Sequence, residues 1–383
     1  MKTLKMKKLN KETIAVHSGT YKDPVIKGVN SPIFTSTSHE YIDQSILYYP
    51  RYFNTQNQTN VIIKLADLEN AESGIIFSSG MAAISSMFLS LLSPGDHAVI
   101  HNDIYGGSHN LITQLLSKYG IEFTFVQSSH IEEFAKAIRA QTKLIYVESP
   151  SNPLLKIVDL EAIAELSKRS GIVSVVDNTF ATPILQNPID FGIDIVIHSG
   201  TKYLGGHSDL SSGAILSSNH LIEVIKNNAI NFGGNLDSNA CYLLERSLKT
   251  LSIRIEKQTQ NAFTIAKYLS TNPKIENVYY PGLTTHPDHM LASKQMKGFG
   301  AIVSFELNDH DHFLKNLELI TPSLSLGGVE TIICTPAKTS HVKISAEERK
   351  KAGIKDSLLR LSVGIESVDD LIADIEASFR NIK

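Results

Sequence analysis

Lys202 closes the run Ser199-Gly-Thr-Lys202, just after the apolar stretch Ile193–Ile197, so one amine and two hydroxyls share the end of an expected strand. An amine in that place can attack a carbonyl, and Ser199 and Thr201 can donate to an anion. Asp177 follows a second apolar stretch, Ile172–Val176. A carboxylate there can keep a ring nitrogen protonated. Gly80 and Met81 follow Gly74–Phe77 and open an apolar helical run that ends at Leu92. The free amides and dipole of a helix start suit a phosphate. Tyr105 precedes Gly106 and Gly107, where its ring can lie flat on a planar ligand.

Taken singly, each residue has an ordinary reading: a surface lysine, a turn-forming aspartate, a capping Ser-Gly pair. The argument lies in their coincidence. Polar clusters follow five expected strands: Ser78–Met81, Asn102–Gly107, Glu148–Pro153, Asp177–Phe180 and His198–Tyr203. In an open α/β sheet, ligands bind at the carboxyl ends of the strands. An amine, a carboxylate, an anion cradle and a flat ring at one edge are what pyridoxal 5′-phosphate, an electron sink, requires of a protein.

The elements that must position these groups alternate. Strands are expected at Gly74–Phe77, Ala98–His101, Glu122–Val126, Leu144–Val147, Ile172–Val176 and Ile193–Ile197. Helices are expected at Val61–Asn70, Met81–Leu92 and near 108–118, 131–139 and 159–170. This pattern predicts an α/β fold, a mostly parallel sheet with helices on both faces. A long helical region, 236–271, leads to a smaller α+β part with strands near 276–280, 301–307 and 358–363 and helices near 310–318 and 367–380.

The bulk properties exclude other classes. With 383 residues, 42% hydrophobic and 20% charged, the chain reads as globular. A net charge of -3 offers no nucleic-acid footprint, and the basic start (Lys2, Lys5, Lys7, Lys8, Lys11) reads as a solvated terminus. No apolar run is long enough for a membrane span, and nothing reads as a secretory signal. Cys241 and Cys334 read as free thiols of a cytoplasmic protein. His286, His289, His310 and His312 lack a third ligand and read as surface residues, so no metal is expected.

Through the run Asp194–Asp209, with Lys202 inside it, the chain resembles the Cys/Met-metabolism (trans-sulfuration) family of pyridoxal-phosphate enzymes. That group holds cystathionine γ-synthases, cystathionine β- and γ-lyases and methionine γ-lyases. The resemblance extends through Ser78–Ala83, Glu148–Pro153, Val175–Phe180, Ser325–Glu330 and Leu359–Glu366. It implies a fold type I, PLP-dependent transferase-like architecture. Residues 1–57 would form an arm that contacts the neighbouring subunit, 58–255 the cofactor domain and 256–383 the C-terminal domain. It further implies a homotetramer, a dimer of active dimers.

By the same resemblance, Lys202 carries the cofactor and, with Tyr105, moves protons. Asp177 faces the pyridine nitrogen, and Gly80, Met81, Ser199 and Thr201 meet the phosphate. Tyr49 and Arg51 reach the phosphate of the neighbouring subunit's cofactor. Asn152 and Thr179 lie near the ring. Arg360 clamps the substrate α-carboxylate, helped by Ser325, with Leu324 and Asn152 also at the substrate. An arginine inside Leu358-Leu-Arg-Leu-Ser-Val363 already asks for a buried anion.

Four departures bear on the reaction. Asn54-Thr-Gln56 replaces the family's Asn-Pro-Thr. Gly107 stands where methionine γ-lyases carry cysteine. Leu324 stands where cystathionine γ-synthases and γ-lyases have Glu and β-lyases an aromatic, and Lys338 adds a cation that either meets a distal carboxylate or is only solvated. The expectation is a carbon–sulfur lyase of cysteine and methionine metabolism acting on cystathionine-like amino acids. The alternatives are γ-replacement on an O-acyl-homoserine, methionine γ-lysis and, outside the class, a cofactor-binding protein without catalysis.

Overall fold

The computed structural model describes residues 9–127, 129–342 and 345–380, so Lys2, Lys5, Lys7 and Lys8 lie outside the described residues. The larger sheet holds β1 (Ser73–Phe77), β2 (His97–His101), β3 (Glu122–Val126), β4 (Thr142–Glu148), β5 (Val173–Asp177), β6 (Ile195–Ser199) and β7 (Gly213–Ser217). Their order is β1-β7-β6-β5-β4-β2-β3. Strands β6, β5, β4, β2 and β3 are parallel, and β7 runs antiparallel to both of its neighbours. A mostly parallel sheet is thus observed, with one reversed strand that the sequence pattern does not flag.

Both faces are covered, as the run of buried β-branched residues requires. On one face Tyr146, Val175 and Ile197 pack with Met87 and Phe88 of the helix Gly80–Leu91 and with Ile225 of the helix Asn219–Phe232. On the other, Ile145, Val147 and Val176 meet Phe134 and Ile163. There too Val196 joins Leu65 and Leu68 of the helix Gln56–Glu69 and Leu244 of the helix Ser238–Leu248.

Some boundaries move for physical reasons. The helix expected from Val61 starts at Gln56, because Thr55 and Gln58 form a capping box. The region 236–271 divides at Lys249–Thr250 into Ser238–Leu248 and Leu251–Ser270, and the latter runs across position 255. The stretch 108–118 is helical but irregular, with a π turn at Leu111–Leu115. The second sheet holds β8 (Val278–Tyr279), β9 (Ile302–Glu306), β10 (Thr321–Pro322), β11 (Ile332–Cys334) and β12 (Leu358–Ser362), in the order β10-β11-β12-β9-β8. The helix Val368–Ser378 closes the chain's described part, with Leu371 and Ile375 in the core beside Phe305 and Leu361.

Candidate active site

Side-chain alternation decides which strand-end residues share a face. Asp177 falls on the side of Val175, and Ser199 on the side of Ile197, which is the side of the helix Gly80–Leu91. A cavity of about 460 Å³ opens there. It brings together Gly80, Met81, Tyr105, Asn152, Asp177, Thr179, Ser199, Thr201, Lys202, Leu324, Ser325 and Arg360. Tyr49 and Arg51 do not line it. They sit on an exposed 3-10 turn, where the Arg51 guanidinium lies over the rings of Tyr49 and Tyr52. Asn54 holds that turn by accepting from the Tyr49 amide at 3.0 Å.

The end of the cavity expected to hold the phosphate is built by backbone. Ser79 caps the helix, its hydroxyl accepting from the Ala82 amide at 3.1 Å. A Cβ on Gly80 would come within 2.9 Å of the Ser199 Cβ, so only glycine lets this helix start approach β6 so closely. The Thr179 hydroxyl accepts from the Ser199 amide at 2.8 Å and ties the ends of β5 and β6 together. Helix start, Ser199 and Thr201 form a cradle that fits a phosphate.

Lys202 and Arg360 meet at Ser325. The Lys202 Nζ donates to the Ser325 hydroxyl at 2.6 Å, and the Arg360 Nη2 donates to the Ser325 carbonyl at 2.8 Å. Ser325 holds this double contact with a φ of 82°, a left-handed value that costs a non-glycine residue strain. Gly327 lets the loop come close: a Cβ there would lie 2.7 Å from the Tyr203 amide nitrogen. Burial, and then the positive charge of Arg360, lower the Lys202 amine from 10.5 to about 8.

Arg360 is 4% exposed, donates through Nη1 to the Asn152 side chain at 3.0 Å, and leaves Nε unpartnered. No carboxylate pairs with it among the described residues. A buried guanidinium without a protein anion is prepared for an anion from outside.

The opposite wall carries two carboxylates. Asp177 pairs in register with Glu148 on β4. Burial raises both above the usual carboxylate range, Glu148 the more, since Asp177's charge adds to it. The Thr179 amide donates to Asp177 at 3.0 Å and favours its ionised form, as does His198. Glu148 accepts from the Tyr105 amide at 2.8 Å, which fixes the backbone beneath a ring that stays 42% exposed at the cavity mouth.

Glu148 also lines the cavity, with Ser79, Ile84, Phe180, Leu326, Thr339 and Ser340. Its signal was available, a carboxylate ending a buried strand just as Asp177 does. Thr339 and Ser340 had no such signal, since they follow a short 3-10 turn. Of the two readings of Lys338 the structure favours the solvated one, since it does not line the cavity and is exposed, ion-paired to Asp311 at 2.7 Å. One expectation changes. His286 is buried, its ring accepting from the Asp288 amide, and His289 bonds the Pro281 carbonyl, so neither is a free surface residue. Among the described residues no cluster of His, Cys, Asp or Glu could hold a metal, and no helix is long and apolar enough to cross a membrane.

Residues 12–380 match the family described as Cys/Met metabolism PLP-dependent enzyme. A cystathionine γ-lyase of Bacillus subtilis (strain 168) is 42% identical over 380 residues, covering 98% of this chain and 100% of that protein. A cystathionine β-lyase of Coxiella burnetii is 44% identical over 384 residues, covering 97% and 98%. The solved structure of cystathionine γ-lyase from Lactobacillus plantarum complexed with L-serine superposes with a TM-score of 0.94 at 39% identity, covering 98% of this chain and 99% of that one. The amine, carboxylates and phosphate cradle of the cavity fit pyridoxal phosphate. With these matches they make the conclusion direct: the chain belongs to the Cys/Met metabolism family of enzymes and uses pyridoxal 5′-phosphate as its cofactor.

Proposed function

We propose that the protein is a carbon–sulfur lyase that eliminates a thiol from cystathionine-like amino acids. The observation that carries this reading is the pairing of Lys202 with an anion-free, buried Arg360 across Ser325. An α-carboxylate held by Arg360 sets the substrate Cα beside the Lys202 amine, which lines the same cavity and can take its proton. The relatives' names, cystathionine β-lyase and cystathionine γ-lyase, support elimination as the outcome.

Bound pyridoxal phosphate supplies an electron sink for the charge that develops at Cα. The chain does the rest. Lys202, at about 8, has a neutral fraction near pH 7 that can act as a base at Cα. Asp177 keeps the ring nitrogen protonated, and the pyridinium in turn favours its ionised form. Gly80, Met81, Ser199 and Thr201 hold the phosphate, while Thr179 and Asn152 flank the ring. Tyr105, at the mouth, passes a proton to the departing thiol.

The arm supports an assembly. Tyr49, Arg51, Ile42, Ile46 and Leu47 are exposed and lie outside their own cavity. In the proposed homotetramer of active dimers they face the neighbour, with Tyr49 and Arg51 at its phosphate. The division into 1–57, 58–255 and 256–383 belongs to the same reading. So does a cytoplasmic location, where the buried free thiols of Cys241 and Cys334 stay reduced.

A second reading, γ-replacement on an O-acyl-homoserine, is favoured by the mouth, where Leu324, Thr339 and Ser340 bring no charge to meet a distal ammonium. Incubating the holoenzyme with L-cystathionine alone separates the two. Pyruvate with homocysteine, or 2-oxobutyrate with cysteine, supports the lyase and fixes its regiochemistry. A change in the cofactor's visible band with no oxo acid overturns the lyase and leaves replacement.

A further inference from the structure

The faces of β5 and β6 that point away from the cavity carry a buried polar network that the chemistry above does not use. Glu69, the last residue of the helix Gln56–Glu69, is 0% exposed. Its Oε1 accepts from His198 Nε2 at 2.6 Å and from Asn178 Nδ2 at 2.9 Å. His198 precedes Ser199, and Asn178 follows Asp177, so each partner is the chain neighbour of a cavity residue pointing the other way. The His198 Nδ1 has no hydrogen-bond partner among the described residues, so the bond to Glu69 is the one hydrogen bond found on that ring there. Asn178 passes the grip to Gln186 at 2.9 Å, and Gln186 reaches the Ser149 carbonyl, one residue beyond β4, at 3.0 Å.

From this arrangement we infer that Glu69 is a positioning residue for the cofactor site: by clamping the reverse sides of β5 and β6 it sets the spacing between Asp177 and the Ser199–Lys202 run. A carboxylate with no Lys or Arg in ion-pair contact among the described residues, Lys11 acting on it only at longer range, is costly to bury, and here two of its donors come from two strand ends. Those ends carry opposite poles of the cofactor, the carboxylate for the ring nitrogen and the lysine with its phosphate cradle. An error of a fraction of an ångström between them is felt by both. The link is also electrostatic, since His198 favours the ionised form of Asp177. The inference depends on the cofactor and not on which reaction follows, so its failure leaves the lyase reading untouched.

The test uses holoenzyme variants Glu69→Ala, His198→Phe and Asn187→Ala. Asn187 donates to the other oxygen of Glu69 at 3.2 Å from outside the strand ends, so it reports the structural share of the network. Three readouts are compared: cofactor release during dialysis, the pH midpoint of the bound cofactor's visible band, and the thermal midpoint. The titratable groups acting on the lysine and Asp177 are Glu148 and Tyr146 on β4, His198 on β6, Cys334 on β11 and Arg360 on β12, and only His198 changes in this set. Glu69→Ala and His198→Phe are expected to release the cofactor about tenfold faster and to move the band midpoint by about half a pH unit. Asn187→Ala is expected to lower the thermal midpoint alone. If Glu69→Ala does not fold, His198→Phe decides by the same two spectroscopic readouts. Wild-type release and an unmoved band in the folded variants overturn the inference, whatever happens to their thermal stability.

Discussion

The two walls of the cavity are made differently. The cofactor wall consists of strand ends and one helix start, with Asp177, Asn152 and Glu148 buried and hydrogen-bonded. The facing wall, apart from Arg360 on β12, comes from the loop Ser323–Leu326 and the turn around Thr339–Ser340, and its Leu324 is 66% exposed. A rigid wall suits chemistry that every relative shares, because a cofactor must be met at fixed distances. A loop wall suits what differs between relatives, because its side chains can change without disturbing the sheet. Ser325 joins the two walls, since its hydroxyl and carbonyl are contacted by Lys202 and Arg360.

Breaking the rigid wall should have the largest effect. Lys202→Ala removes the amine proposed to bond the cofactor and to move the Cα proton, and turnover should fall by at least about 10³-fold. Residual lyase activity near wild type in that variant, measured as oxo-acid release, would sink the scheme. Arg360→Lys is the next test. It keeps a charge but loses the planar fork that meets a carboxylate at two points. The expected loss is about 10²-fold in kcat/KM, carried mainly by KM. A drop confined to kcat would place Arg360 elsewhere than at the substrate carboxylate.

A pH measurement sharpens the role of Ser325's two neighbours. The neutral amine is the reactive form, and Lys202 is lowered to about 8 by burial and then by Arg360. The rate at which cofactor-free protein captures pyridoxal phosphate should therefore rise about tenfold per pH unit below 8 and level above it. In Arg360→Met the positive neighbour is gone, so the levelling point should move up. A wild-type profile that keeps climbing toward 10.5, the ordinary lysine value, would show that neither burial nor Arg360 acts on this amine.

The same contrast explains what the sequence discloses. Strands buried in the sheet read as short apolar, β-branched runs, so β1 to β6 are legible, and so are the polar clusters after β1, β2, β4, β5 and β6. Strand β7 is not, because Gly213-Ala-Ile-Leu-Ser217 has a single β-branched residue and no alternation. The start of the helix Gln56–Glu69 was open to reading, since Thr55 and Gln58 have capping-box spacing. The Glu69–His198 pair was not, because its partners lie 129 residues apart and neither type is unusual where it stands. Tyr49 and Arg51 carry no local pattern at all, and only the resemblance to the family singles them out. Thr339 and Ser340 reach the cavity through the path of a turn, which hydrophobic periodicity does not encode.

The smallest effect should come from the loop wall. Leu324→Glu places a carboxylate on a mostly exposed position at the mouth, among residues that bring no charge of their own. If the substrate's distal ammonium passes there, the variant should raise kcat/KM for L-cystathionine a few-fold, as expected for an exposed ion pair worth about 0.2–1 kcal/mol. The gain should shrink as salt is added, because the pair is exposed to solvent. Cofactor release and the visible band should stay at wild-type values, since Leu324 lies apart from the strand ends proposed to hold the cofactor. A cystathionine-specific gain with an unmoved band would confirm that selection and chemistry are assigned to different walls. An unchanged or lowered preference would move the distal group away from Leu324, toward Thr339 and Ser340 or the arm of the proposed neighbouring subunit.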